Sequence, residues 1–318
     1  MKLSEIKINL EQNLEAHLKT QLPNHPFHEV YLYSALPPGK LFRPLLATAI
    51  LNDFTPGDPF FSSTSAHSYF CSAIELHHAY TLVHDDLPCM DNDDFRRGRP
   101  TVHKQFGQWQ ALLAGDGLLN CSYGLLSKMN SSELQKVFKL VTWALGPKGL
   151  IQGQVLDLSE EMKKDFESLV LTHEYKTARL IQVALCGSFL LIQNKKKSAF
   201  SENRMFLDLF KLGHHTGVTF QLLDDLTELC DAQISPHELS INPWFYFQDE
   251  ALKKISQGLN TIKIISDKHE MDSFHLVMKD YFSKIHLKLN ENIHHVAQHQ
   301  KRPVADLIPM MSLLKGLC

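Results

Sequence analysis

An all-α fold is predicted by three observations. Apolar residues recur at helical spacing along most of the 318 residues, no run of alternating β-branched residues is long enough for a sheet, and no Gly/Ser- or Pro-rich linker divides the chain. Length alone, at about 150 residues per domain, would suggest two domains. The continuous helical patterns predict one domain over residues 1–318 instead.

The elements follow in order. An N-terminal helix is expected around Leu3 to Leu18, with Glu5, Lys7 and Glu11 in its first turns. From Ser68 to His84, Tyr69, Ala73, Leu76, Tyr80 and Val83 form one helix face, and Pro88 cannot continue that helix. Further helices are expected around Trp109 to Lys128 and Ser132 to Leu145, the latter opened by a capping box of Ser132 with Gln135. Another begins near Leu207.

Composition narrows the function classes. At 44% hydrophobic and 21% charged the chain can bury a large core. A net charge of −3 and a pI near 6.6 supply no field for nucleic acid or an anionic membrane, and Lys195-Lys196-Lys197 reads as a solvated loop. Cys71, Cys89, Cys121, Cys186, Cys230 and Cys318 lack metal-ligand spacing, which fits free thiols in a reducing cytoplasm. No apolar run reaches about 18 residues, so neither a signal peptide nor a membrane span is expected. Among 18 histidines, His295 and His299 stand at i and i+4 but lack a third ligand and read as a solvated face.

Two acid clusters remain: Asp85-Asp86-Leu87-Pro88-Cys89-Met90-Asp91, followed by Arg96-Arg97-Gly98, and Phe220-Gln221-Leu222-Leu223-Asp224-Asp225-Leu226-Thr227-Glu228. Asp85 and Asp86 fall at a helix C-terminus, where the macrodipole disfavours further negative charge, so a cation should offset them. Asp224 and Glu228, four apart, project from one helix face. Both clusters follow apolar sequence and so lie at the edge of a core, where acids pair or coordinate metal. Oxygen donors without Cys or His favour Mg²⁺, held through one or two carboxylates plus substrate phosphates. Arg96 and Arg97 add forks suited to phosphate oxygens. The pattern suggests a diphosphate held through metal ions.

At these residues the chain resembles the trans-isoprenyl diphosphate synthases of the bacterial farnesyl diphosphate synthase type. Asp85 to Asp91 is similar to the first aspartate-rich motif with its two-residue insertion, and Phe220 to Glu228 to the second. Pro38-Gly39-Lys40-Leu41-Phe42-Arg43-Pro44, His78-Ala79-Tyr80, Gly153-Gln154-Val155-Leu156-Asp157-Leu158 and Lys176-Thr177-Ala178 are similar to four further signatures in order. The resemblance implies the isoprenoid synthase fold, a bundle of about ten or more helices around a central substrate cavity, and a homodimer. It implies Mg²⁺-dependent condensation of isopentenyl diphosphate with dimethylallyl or geranyl diphosphate to give farnesyl diphosphate.

By resemblance the metal ligands are Asp85, Asp86, Asp91, Asp224, Asp225 and Glu228. Isopentenyl diphosphate falls to Lys40, Arg43, His78 and Arg97, and the allylic diphosphate to Arg96 and Lys176. Thr177 and Gln221 would place oxygen dipoles near the carbocation, which makes Lys176, Thr177 and Gln221 the catalytic set. Tyr80 lies about 7.5 Å along the helix from Asp85 at about 1.5 Å per residue, with Thr81 one turn from the acid, and an aromatic there limits the product to fifteen carbons in the resembling family. Four positions depart from the pattern: Leu41 replaces an arginine, Asn92 interrupts the acid run, Glu228 replaces an aspartate, and Leu239-Ser240-Ile241-Asn242-Pro243 has Leu239 in place of a lysine. The alternatives are a geranyl or geranylgeranyl diphosphate synthase, or a weakly catalytic or non-catalytic isoprenoid-binding regulatory homologue.

Overall fold

The computed structural model describes residues 2–55, 62–192, 199–230, 242–301 and 303–317. Leu239, Lys195-Lys196-Lys197 and Cys318 lie outside the described residues. Helices α1 (Leu3–Lys19), α2 (His28–Ala35), α3 (Phe42–Phe54) and α4 (Ala66–Asp85) lead to a hairpin of β1 (Phe95–Arg96) and β2 (Arg99–Pro100). Then follow α5 (Val102–Gln105), α6 (Gln108–Ser127), α7 (Leu134–Leu145), α8 (Leu150–Leu158) and α9 (Phe166–His173). A π turn, Glu174–Ala178, joins α9 to α10 (Arg179–Leu191). The rest comprises α11 (Ala199–Glu228), a 3₁₀ turn at Pro243–Phe245, α12 (Gln248–Lys268), α13 (Asp272–Glu291), α14 (Ile293–Gln300) and α15 (Ile308–Leu317). The architecture is all-α, and the hairpin, with two residues per strand, is too short to leave an alternating pattern.

Two boundaries differ from expectation. Helix α7 starts at Leu134, and the hydroxyl that caps the turn before it is that of Ser131, which accepts from the Glu133 amide at 3.1 Å. Adjacent serines compete for that role, and Ser132 loses. Helix α11 starts at Ala199, eight residues ahead of Leu207.

The chain divides into two compact units, Met1–Leu140 with Gly187–Asn194 and Val141–Cys186 with Lys195–Cys318. In the first, α4 packs along α6, and the Ser65 hydroxyl caps α4 by accepting from the Ser68 amide at 3.0 Å. Gly115 of α6 leaves room for the His84 ring, and a Cβ there would lie 2.1 Å from His84 Nε2. Leu14, Leu18, Leu46, Ile50, Phe70, Ile74, Leu76 and Leu118 fill its core. In the second unit, Gly213 and Gly217 bring α11 against Gln182 and Ala178, so those backbones touch as only Cβ-free positions permit. Leu209, Leu222, Leu223, Leu226, Leu259, Phe274 and Phe282 form its core, with Trp244 fully buried among them. Cys71, Cys186 and Cys230 are buried, whereas Cys89 is exposed.

Candidate active site

In the first unit, α4 ends where the acids begin: Asp85 is its last residue and Asp86 its C-cap. The segment after it folds tightly. The amides of Met90 and Asn92 donate to the Leu87 carbonyl at 2.8 and 3.1 Å, and the Asp91 amide donates to the Asp85 carbonyl at 2.8 Å. The two inserted residues thus form a turn that returns Asp91 to Asp85. Asp86 is buried, and Arg96 Nε donates to its Oδ1 at 2.5 Å while Arg96 Nη2 reaches Asp93 Oδ2 at 3.0 Å. Burial nonetheless pushes the Asp86 carboxyl up to about 6, against the pull of Arg96 and with help from Asp93 and Asp91.

The hairpin sends its arginines apart. Arg97 and Gly98 form its two-residue loop, both with positive φ, 55° and 75°. Arg96 thereby turns to Asp86, and the Arg97 guanidinium lies against Gly39, where a Cβ would come within 2.6 Å of Nη2. Arg43, on the first turn of α3, and Arg97 both act on Glu75 and His78 of α4. Glu75 is a buried acid whose carboxyl burial raises and those two guanidiniums lower. His78 is held well below its ordinary range by burial and then by Arg43, Arg97 and Arg96, so its ring is neutral and can donate through one N–H. Lys40 stands exposed just ahead of α3. This concentration of positive charge suits a diphosphate. Leu41, in place of a further cation, is buried with φ 53° and starts the helix instead.

Tyr80 is 7% exposed on α4 and meets His77 and His84 edge to face, with centroids 4.6 and 5.8 Å away. Thr81 follows it, its hydroxyl donating to the His78 carbonyl at 2.8 Å.

In the second unit, the last two turns of α11 carry Gln221, Asp224, Asp225 and Glu228. The π turn presents Lys176 and Thr177, and such single-turn bulges recur at functional sites. Lys176 is ion-paired with Asp157 of α8. Thr177 donates its hydroxyl hydrogen to Gln221 Oε1 at 2.9 Å, and Gln221 Nε2 donates to Asp225 Oδ1 at 2.9 Å. With its one hydrogen used, the Thr177 oxygen offers only lone pairs to any other group. His173 Nε2 lies 3.6 Å from Asp225 Oδ2, and burial holds the His173 ring down to about 4, hence neutral. The Asp225 carboxyl is raised well above its ordinary range by burial first, then by Glu228, Asp224 and Asp157, partly opposed by Gln221. These oxygen donors repel one another and fit a hard divalent cation. Among the described residues no group of three His, Cys, Asp or Glu side chains is placed to hold a metal ion by itself.

Sequence reasoning missed Asp157, Glu75, His173 and Asn242. Asp157 and Glu75 each carried a signal as the lone acid of an apolar stretch, Asn242 lay in the segment set apart by Leu239, and His173 carried none. His295 is exposed and His299 half-buried, as a solvated face requires.

Residues 24–235 match the polyprenyl synthetase family. The chain is 36% identical over 234 residues to the farnesyl diphosphate synthase of Bacillus subtilis, covering 71% of this chain and 74% of that protein. To the farnesyl diphosphate synthase of Escherichia coli it is 35% identical over 212 residues, 65% and 67% of the two chains. Among solved structures, a geranyltransferase from Helicobacter pylori complexed with magnesium and isoprenyl diphosphate superposes with TM-score 0.72 at 26% identity, covering 88% of this chain and 97% of that one. An isoprenoid synthase family member from Thermotoga neapolitana superposes with TM-score 0.59 at 26% identity, covering 93% and 97%. With its ordered motifs, its helical fold and this family match, the chain belongs to the polyprenyl synthetases, the trans-isoprenyl diphosphate synthases.

Proposed function

We propose that this chain is a prenyltransferase that joins isopentenyl diphosphate head-to-tail to dimethylallyl or geranyl diphosphate and releases farnesyl diphosphate. The observation that carries the product assignment is Tyr80, buried on α4 five residues before Asp85 and braced by His77 and His84. In the resembling family an aromatic at this place limits the product to fifteen carbons. The identity of 36% to a farnesyl diphosphate synthase supports the same reading.

Mg²⁺ is the proposed cofactor, with Asp85, Asp86 and Asp91 of the first unit and Asp224, Asp225 and Glu228 of the second as the proposed ligands, and when bound it would neutralise charge growing on the leaving diphosphate. Arg96 and Lys176 orient the allylic diphosphate. Lys40, Arg43, Arg97 and the neutral His78 hold isopentenyl diphosphate so that its double bond faces the allylic carbon. The lone pairs of Thr177, fixed by the bond to Gln221, lower the energy of the allylic cation without donating a proton to it. The released pyrophosphate takes the proton that restores the alkene, and exclusion of water prevents hydrolysis of the cation.

We further propose one catalytic domain and a homodimer in a reducing cytoplasm. The dimer is supported by exposed Trp109, Leu112 and Leu113 on one stretch of α6, an apolar patch of the kind that marks an interface. Turnover of isopentenyl with geranyl diphosphate in Mg²⁺, with chromatography of the product, tests the proposal. Farnesyl diphosphate is the expected product. A ten- or twenty-carbon product refutes the length assignment, and no turnover supports a non-catalytic homologue.

A further inference from the structure

We infer that Asn242 is a positioning residue for Glu228, fixing the carboxylate of the second acid cluster where it can serve the diphosphate site. The inference rests on the reading of Glu228 as metal-binding given above. Asn242 is 3% exposed, and both N–H donors and the oxygen of its amide are engaged. Nδ2 donates to the Asp225 carbonyl at 2.8 Å and to Glu228 Oε2 at 3.1 Å, while Oδ1 accepts from the Trp244 amide at 3.0 Å. The amide orientation is therefore dictated: a carbonyl must face NH₂ and a backbone N–H must face oxygen. The turn that carries Asn242 is itself anchored, since fully buried Trp244 donates Nε1–H to the Leu222 carbonyl at 2.8 Å. Leu222, Asp225 and Glu228 succeed one another at spacing of three along α11, so one short turn grips one helix face at three levels.

Glu228 is one methylene longer than the aspartate of the resembling motif. The extra reach brings the Glu228 carboxylate to Asn242. Glu228 is exposed at the end of α11, and the Asn242 bond ties one of its carboxylate oxygens to the buried turn.

The test uses the full chain, titrated calorimetrically with Mg²⁺ in the presence of inorganic pyrophosphate, alongside thermal unfolding without metal. Asn242→Ser keeps an oxygen for the Trp244 amide but is too short to reach Glu228. It should weaken Mg²⁺–pyrophosphate binding about tenfold, the loss expected for one hydrogen bond to a charged group. Glu228→Asp, which withdraws the carboxylate from Asn242, should weaken binding by a similar factor. The double variant should lose about tenfold in all, not about a hundredfold, because both changes break one contact. Native binding in Asn242→Ser, with or without a lower melting temperature, would show Asn242 to be a structural cap and overturn the inference. Tighter binding in Glu228→Asp, or losses that multiply in the double variant, would overturn it too. Unaltered binding in both Asp224→Ala and Glu228→Ala would bring down the metal reading itself, and with it this inference.

Discussion

Gly153→Ala puts two magnitudes in direct opposition. Gly153 sits in the interior of α8, where alanine is intrinsically favoured over glycine by about 1 kcal/mol. Propensity alone therefore predicts a more stable protein. Yet a Cβ at this position would lie 2.3 Å from the Lys176 amide nitrogen, 2.7 Å from the Tyr175 carbonyl carbon and 2.8 Å from the Lys176 Cα, all backbone atoms that no rotamer change can remove. The π turn and α8 would have to separate by about 1 Å to restore ordinary contact. Overpacking of this kind typically costs about 1–3 kcal/mol, which exceeds the propensity gain at all but its lower limit. Activity should suffer more, because the atoms displaced carry Lys176 and Thr177, and misplacement of catalytic groups by about 1 Å can lower rates by about a hundredfold. The expected outcome is a melting temperature lowered by a few degrees and kcat lowered about a hundredfold, measured by differential scanning calorimetry and by condensation of isopentenyl with geranyl diphosphate. A variant with raised stability and native kcat would refute the argument that Gly153 sets the position of the π turn.

Other outcomes follow from the same geometry. Asp85→Ala should reduce turnover by at least about a hundredfold with helical circular dichroism intact, and near-native activity would remove Asp85 from the metal site. Arg97→Ala should mainly raise KM for isopentenyl diphosphate, since its contact is common to ground and transition states. Tyr80→Ala should lengthen the product and Thr81→Phe shorten it, as read by chromatography; unchanged products in both would place the floor elsewhere. Stability should fall as pH drops through the ordinary histidine range. Burial depresses His67 and His77 to about 3, so below about pH 6.5 the unfolded chain binds protons that the folded chain does not. Each ring should remove about 1 kcal/mol between about pH 7 and pH 5.5, measured by urea unfolding, and His67→Asn should flatten that slope.

Long amphipathic segments made the helical fold legible, and α4 lies within two residues of where its apolar spacing and Pro88 placed it. Both acid clusters were legible because several carboxylates in one apolar context need a common explanation. Their supports were not. Glu75 and His173 become significant only through what packs over them, Arg43 and Arg97 for one and Asp225 for the other. Asn242 reads as an ordinary residue before proline, and its role arises from a turn that returns to α11 over fourteen residues. The π turn left no signal because Glu174–Ala178 is too short for a change of period to show.

The tight loop at Arg97-Gly98 places two adjacent cations under one backbone hinge yet aims them at different neighbours, Arg96 at Asp86 and Arg97 at Gly39. Lengthening that loop would displace both guanidiniums together, whereas a change at Asp86 or Asp93 would move Arg96 and a change at Gly39 would move Arg97.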